Sequence, residues 1–83
     1  MPTVAIVEGI KIQFYWDDHP PSHFHVEYGD YRAQIAISSL RILNGYIPKA
    51  QHRKIVAWAR SRKSELLGMW IKCQSDLHPG KFE

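Results

Sequence analysis

The chain has 83 residues, a formal net charge of +3 and 45% hydrophobic residues. A domain of this size buries only about two-thirds of its unfolded surface, which excludes a large internal cavity and puts any site on a face or an edge of one domain, residues 1–83. The lone cysteine, Cys73, excludes an internal disulfide, no charged-then-apolar leader opens the chain, and no apolar run reaches the roughly 20 residues of a membrane span. The expectation is a soluble, cytoplasmic protein with no membrane partner.

In chain order, Val4 to Val7 is a short apolar run and Glu8-Gly9 suits a tight turn. From Ile10 to Trp16 the residues alternate, with Ile10, Ile12, Phe14 and Trp16 on one face and Lys11, Gln13 and Tyr15 on the other. That is the pattern of a half-buried strand. After a loop from Asp17 to Ser22, alternation resumes through Phe24, Val26 and Tyr28, then Tyr31, Ala33, Ile35 and Ile37 beyond Gly29-Asp30. If Gly29-Asp30 is a two-residue turn, Tyr28 faces Tyr31, Val26 faces Ala33 and Phe24 faces Ile35. The same register pairs Glu27 with Arg32, His25 with Gln34 and His23 with Ala36 on the opposite face.

Ser38-Ser39 reads as a turn into a further strand, Leu40 to Leu43, that ends at Asn44-Gly45. Pro48 then suits a first helical position. The period becomes helical, with one stripe of Ile55, Trp58 and Ala59 and another of Leu66, Met69, Trp70 and Cys73. Two helices broken near Ser61 to Ser64, with either serine able to cap the second, are favoured over one helix far longer than usual. On this stripe Cys73 is a buried core thiol. The predicted fold is α+β: a small antiparallel sheet of four to five strands, followed by two C-terminal helices on its apolar face. Residues 1–47 form the β-rich half, 48–75 the helical half and 76–83 a flexible tail.

The segment from His19 to His25 holds three of the five histidines. Side chains two apart on a strand share a face, so His23 and His25 turn toward one point, with Glu27 next in the row. Such a pair plus one more donor holds a divalent transition metal such as zinc with an open position. His19 is the expected third donor, with Pro20-Pro21 fixing the backbone between in an extended form. A metal-free reading makes His23 and His25 the general base and acid on a phosphodiester, because an imidazole titrates near neutral pH. Arg32 would stabilise the phosphate charge, although Glu27 opposite it suits a surface ion pair. A triad of Ser22, His23 and Asp18 can be written, but no nucleophile-elbow pattern supports it.

Charge is uneven. Residues 1–47 carry three basic and five acidic side chains, and residues 48–83 carry eight and three. Lys49, Arg53, Lys54, Arg60, Arg62 and Lys63 cluster around the first helix and the break, where they offer a non-specific site for nucleic-acid phosphates. An ordinary solvated helix face explains the same residues.

The opening MPTV, the strand GIKIQFYW, the segment HPPSHFHVEYGDYRAQI, the NGYIP turn and the ending ELLGMW together resemble a family of small bacterial proteins, domain-of-unknown-function family 4160. The likeness covers about residues 1–73, and its sharpest motif is His-x-Pro-Pro-His-x-His-Val, here His19 to Val26. Ser22 stands where the motif has its second proline, and Pro20 at the variable position restores a proline pair. The resemblance implies a functional role for His19, His23 and His25. It also implies a small protein partner encoded nearby, in a toxin–antitoxin-like gene pair, with RNA or DNA as a target. The leading expectation is a protein- or nucleic-acid-binding component of such a pair, with His19, His23, His25, Glu27, Arg32 and Gln34 as its binding face. The alternative is a small His-dependent nuclease or phosphodiesterase, metal-assisted or not, in which His23, His25 and Arg32 carry the chemistry.

Overall fold

The computed structural model describes residues 3–15 and 18–74, so the expectations for Trp16 and for the 76–83 tail lie outside the described residues. Five strands, β1 (Thr3–Val7), β2 (Ile10–Gln13), β3 (His23–Tyr28), β4 (Tyr31–Ala36) and β5 (Ile42–Tyr46), precede two helices, α1 (Lys49–Arg60) and α2 (Lys63–Gln74). The strands form one antiparallel sheet in the order β1-β2-β3-β4-β5, an α+β meander of the expected kind.

Turn chemistry sets the first two hairpins. Glu8 and Gly9 both have positive φ, 48° and 82°, and Val7 pairs directly with Ile10. This is the primed turn whose twist matches the flanking strands. At the second hairpin Gly29 alone has positive φ, and Tyr28 pairs with Tyr31. The whole predicted register follows, from Glu27 opposite Arg32 to His23 opposite Ala36.

The last strand departs from expectation. Leu40 is buried, with a left-handed φ of 62°, and lies before the strand rather than in it. β5 instead runs through Asn44-Gly45, with Leu43 as the extra residue between the pairs Gln34–Asn44 and Ile35–Ile42. Gly45 explains why this dipeptide continues a strand instead of ending one. Its φ is +82°, and a Cβ there would lie 2.3 Å from the Arg32 carbonyl oxygen. Only glycine lets β5 approach β4 so closely.

The apolar face collects Ile10, Ile12, Phe14, Phe24, Val26 and Ile35, all at most 1% exposed, against Ile55 and Ala59 of α1 and Leu66, Met69, Trp70 and Cys73 of α2. Two helices are present, but no serine caps the start of the second. Pro48 precedes α1 as its capping residue rather than its first helical one, Ser61 ends α1, and Ser64 lies inside α2. Arg62 closes the break: its backbone carbonyl accepts from Leu66, and its guanidinium donates to the Trp58 carbonyl at 2.7 Å while lying over the Trp58 ring. The turn before β5 is tied to both helices, because His52 donates to the Leu40 carbonyl and Lys63 to that of Ser38.

Candidate metal centre and the polar sheet face

The sheet register decides where the histidines go. His23 and His25 are the first and third residues of β3 and project to the face opposite Phe24 and Val26. They are nevertheless covered, contrary to the expectation of an outward row. His23 is 4% exposed, with its ring 5.0 Å from that of Trp70 on α2. His25 stacks on Tyr15 with centroids 3.9 Å apart. The loop between β2 and β3 supplies the rest of the cover, and within it the Pro20–Pro21 bond is cis rather than part of an extended run.

The loop delivers Asp18, not His19, to the two rings. Its Oδ2 lies 2.6 Å from His25 Nε2 and 2.9 Å from His23 Nε2. His19 is exposed and contributes only its backbone N–H, which donates to Asp18 Oδ1. Helix α2 holds the loop from the other side, because Gln74 Nε2 donates to the Asp18 carbonyl at 2.9 Å. Donor atoms of Asp18, His23 and His25 all lie within 4.8 Å of one another.

The protons can be placed. The Pro21 carbonyl is only an acceptor, so the 2.7 Å contact with His23 Nδ1 makes Nδ1 the donor. In the neutral ring Nε2 then carries the lone pair. That atom is buried and has no hydrogen-bond partner, because Asp18 Oδ2 is close but badly aligned. A lone pair facing a carboxylate oxygen at 2.9 Å, shut away from water, is a position for a cation. His25 makes the aligned bond to the same oxygen. Burial pushes the Asp18 carboxyl up, but the His25 hydrogen bond, the neighbouring His23 ring and the His19 N–H together outweigh it and hold the group below its ordinary value. Asp18 is therefore a carboxylate at neutral pH.

Two imidazoles and a carboxylate are the donor set of an open transition-metal site. His23 already shows the supporting pattern, its far nitrogen donating to a carbonyl and so fixing ring and tautomer. Tetrahedral zinc spaces its donors by roughly 3.3 Å, so Asp18 Oδ2 would draw back from His25 by less than about 1 Å. The residues fit. Among the described residues Ser22 has no side-chain hydrogen bond to His23, so the Ser22–His23–Asp18 triad does not assemble.

The sequence signature of the family described as Domain of unknown function (DUF4160) matches residues 9–71. The chain belongs to that family. No curated protein and no solved structure matches it. The matched span contains all of the centre except Gln74, and the Pro-Pro-x-His-x-His segment in its first third supplies both imidazoles and the carbonyl that orients one of them.

The remaining members of the expected binding face lie beside the centre. Glu27, Arg32 and Gln34 share with His25 the sheet face that the helices leave open, lining a groove of about 210 Å³. Arg32 and Glu27 form the anticipated ion pair at 3.2 Å, with the Arg32 side chain 76% exposed. The basic residues of the helices do not act as one patch. Arg62 lies on Trp58, Lys63 binds the Ser38 carbonyl and Lys54 pairs with Glu8 at 3.5 Å. Lys49, Arg53 and Arg60 are exposed.

The sequence named Asp18 only in the triad and not as a metal donor, and it did not join Trp70 to the centre. The acidic pair Asp17-Asp18 just ahead of the histidine motif is the signal that points to the first. Trp70 sits on a helical core stripe, so nothing local marks it.

Proposed function

We propose that this chain works through a divalent transition metal held by Asp18, His23 and His25, and that it is a small metal-assisted phosphodiesterase. The observation that carries the reading is the buried, unpartnered Nε2 of His23 facing the Asp18 carboxylate. A metal at such a site lowers the pKa of bound water and polarises a phosphoryl oxygen.

The chain's own residues supply position and charge. Pro21 orients His23, Tyr15 stacks on His25, and Gln74 anchors the loop that carries Asp18. With only three protein donors, a fourth coordination position is left for water or substrate. Arg32 keeps guanidinium donors beyond those used by Glu27 and stands on the face that His25 shares, where it suits a phosphate. In the hydrolysis a water oxygen bonds to phosphorus as the ester P–O bond breaks, and the departing oxygen takes up the proton that water gives up.

The deciding experiment is elemental analysis of untagged protein, paired with turnover of a generic phosphodiester and of RNA. About one equivalent of zinc, manganese or a similar ion, with turnover abolished by His23→Ala and by chelation, is the expected result. Metal below a tenth of an equivalent, with RNA intact under zinc or manganese supplementation, refutes the reading.

The second reading, a binding component of a toxin–antitoxin-like pair with a protein partner, draws on one surface feature besides the family resemblance. Leu67 and Ile71 are exposed one turn apart on α2. An apolar pair of this kind suits a protein contact, and co-purification from the native cell tests it.

A further inference from the structure

The open face of the sheet is more ordered than a solvated surface requires. Pairing runs Thr3 to Gln13, Gln13 to His25, His25 to Gln34 and Gln34 to Asn44, so one transverse row crosses all five strands with a polar side chain on each. The row beside it places Lys11, Glu27, Arg32 and Tyr46 in register. A solvated β face satisfies itself with scattered charges, whereas three carboxamides aligned around one imidazole present a line of paired donors and acceptors.

Several of these side chains are unspent. The Gln34 carboxamide makes no hydrogen bond among the described residues, and that of Asn44 uses only its carbonyl oxygen, which accepts from Gly45 N–H. Gln13 uses its amide nitrogen on Thr3, leaving its carbonyl oxygen. Gly45 contributes no side chain, which keeps the groove open between Asn44 and Arg32. The stacked rings of Tyr15 and His25 close one end.

We infer that this groove is a binding site for one nucleotide unit of a single-stranded nucleic acid. At about 210 Å³ it is smaller than the usual small-molecule pocket, so it suits one unit of a longer chain rather than a whole ligand. Carboxamides of Asn and Gln bond the donor–acceptor edge of a base in pairs, an aromatic ring offers a stacking surface, and Arg32 suits the adjoining phosphate. The Watson–Crick edges and the ring faces are free only in single strands, because pairing and stacking occupy them in a duplex. The inference extends the phosphodiesterase reading by naming its substrate. His25 belongs to both sites, so a base held in the groove lies beside the metal centre.

Fluorescence anisotropy of a labelled ten-nucleotide strand, with metal-free protein to suppress cleavage, tests this. RNA, DNA and duplex of one sequence are compared. Single strands should bind more tightly than duplex, and a difference between RNA and DNA identifies the natural source. Gln34→Ala and Arg32→Ala should each weaken binding about fivefold or more, and the paired change Lys49→Ala/Arg53→Ala on α1 should not. No binding at 100 μM protein (roughly the non-specific range), equal binding of duplex, or weakening confined to the α1 variant overturns the inference. Metal content is measured on the same preparation before stripping. Strand binding without metal refutes the metal centre alone, and metal without strand binding refutes the groove alone.

Discussion

His23 and Pro21 are joined across two residues by a 2.7 Å hydrogen bond from ring Nδ1 to the backbone carbonyl. The bond turns the other nitrogen, Nε2, into the buried space beside Asp18, where it has no hydrogen-bond partner. A loop contact thereby determines which ring atom faces the carboxylate. It also sets the chemistry available there, because a lone pair and a carboxylate invite a cation, whereas an N–H would have closed the site with an ordinary hydrogen bond.

Metal should therefore stabilise the fold. Zinc at a hundredfold excess over its dissociation constant adds about 2.7 kcal/mol, which raises the melting temperature of a domain this size by about 10 °C or more. The expected result is that wild type shows this shift while His23→Ala and Asp18→Asn show less than a quarter of it. Equal shifts in all three proteins would place the ion elsewhere.

Acid should act through Asp18 first. Its folded carboxyl titrates below the ordinary value because the histidines favour the charged form. A depressed carboxylate contributes stability that is fully present above its unfolded value, about 3.9, and is lost as pH falls through the folded value. Metal-free wild type should exceed Asp18→Asn by about 1–3 kcal/mol at pH 7, measured by urea denaturation. The gap should narrow as pH drops below about 4. A gap that stays constant down to pH 2 contradicts the assignment.

Gly45→Ala should be among the most damaging single substitutions in the sheet. The added Cβ meets the Arg32 carbonyl oxygen at 2.3 Å, and φ is +82°. Left-handed strain alone costs about 1–3 kcal/mol, and parting β4 from β5 adds to it. A loss of at least about 2 kcal/mol in chemical denaturation is expected. Gly68→Ala, where nothing lies within 4 Å of the new Cβ, is the control and should be neutral or stabilising, since a helix interior prefers alanine.

Arg62→Ala should weaken the helix break rather than any nucleic-acid contact. It removes the bond to the Trp58 carbonyl and the guanidinium over the Trp58 ring. Together these are worth about 1–2 kcal/mol. Loss of stability without change in oligonucleotide affinity is the expected pair of results.

Much of the fold was legible in the residues themselves. Alternation on both sides of Gly29-Asp30 specified strand, face and register, because a one-residue slip would have moved every apolar side chain to the wrong side. The same logic put His23, His25, Glu27, Arg32 and Gln34 on one face. It failed at Asn44-Gly45, where the usual turn dipeptide is paired within the strand because close approach of β4 favours glycine there. It failed again at the helix break, where no serine stands immediately before α2 and the Arg62 side chain instead donates to the Trp58 carbonyl at the end of α1.

The sequence by itself determined the sheet, the two helices and the pairing of the two motif histidines on one face, since these follow from periodicities of two and 3.6 and from local turns. Only the tertiary structure decided that Asp18 completes the cluster in place of His19 and that Trp70 covers His23. The Gln74 bond that holds the Asp18 loop joins residues 56 apart in the chain, and Trp70 reaches His23 from the same helix. They depend on how α2 settles on the sheet, and hydrophobic packing of a helix carries no local mark of which polar loop it will pin.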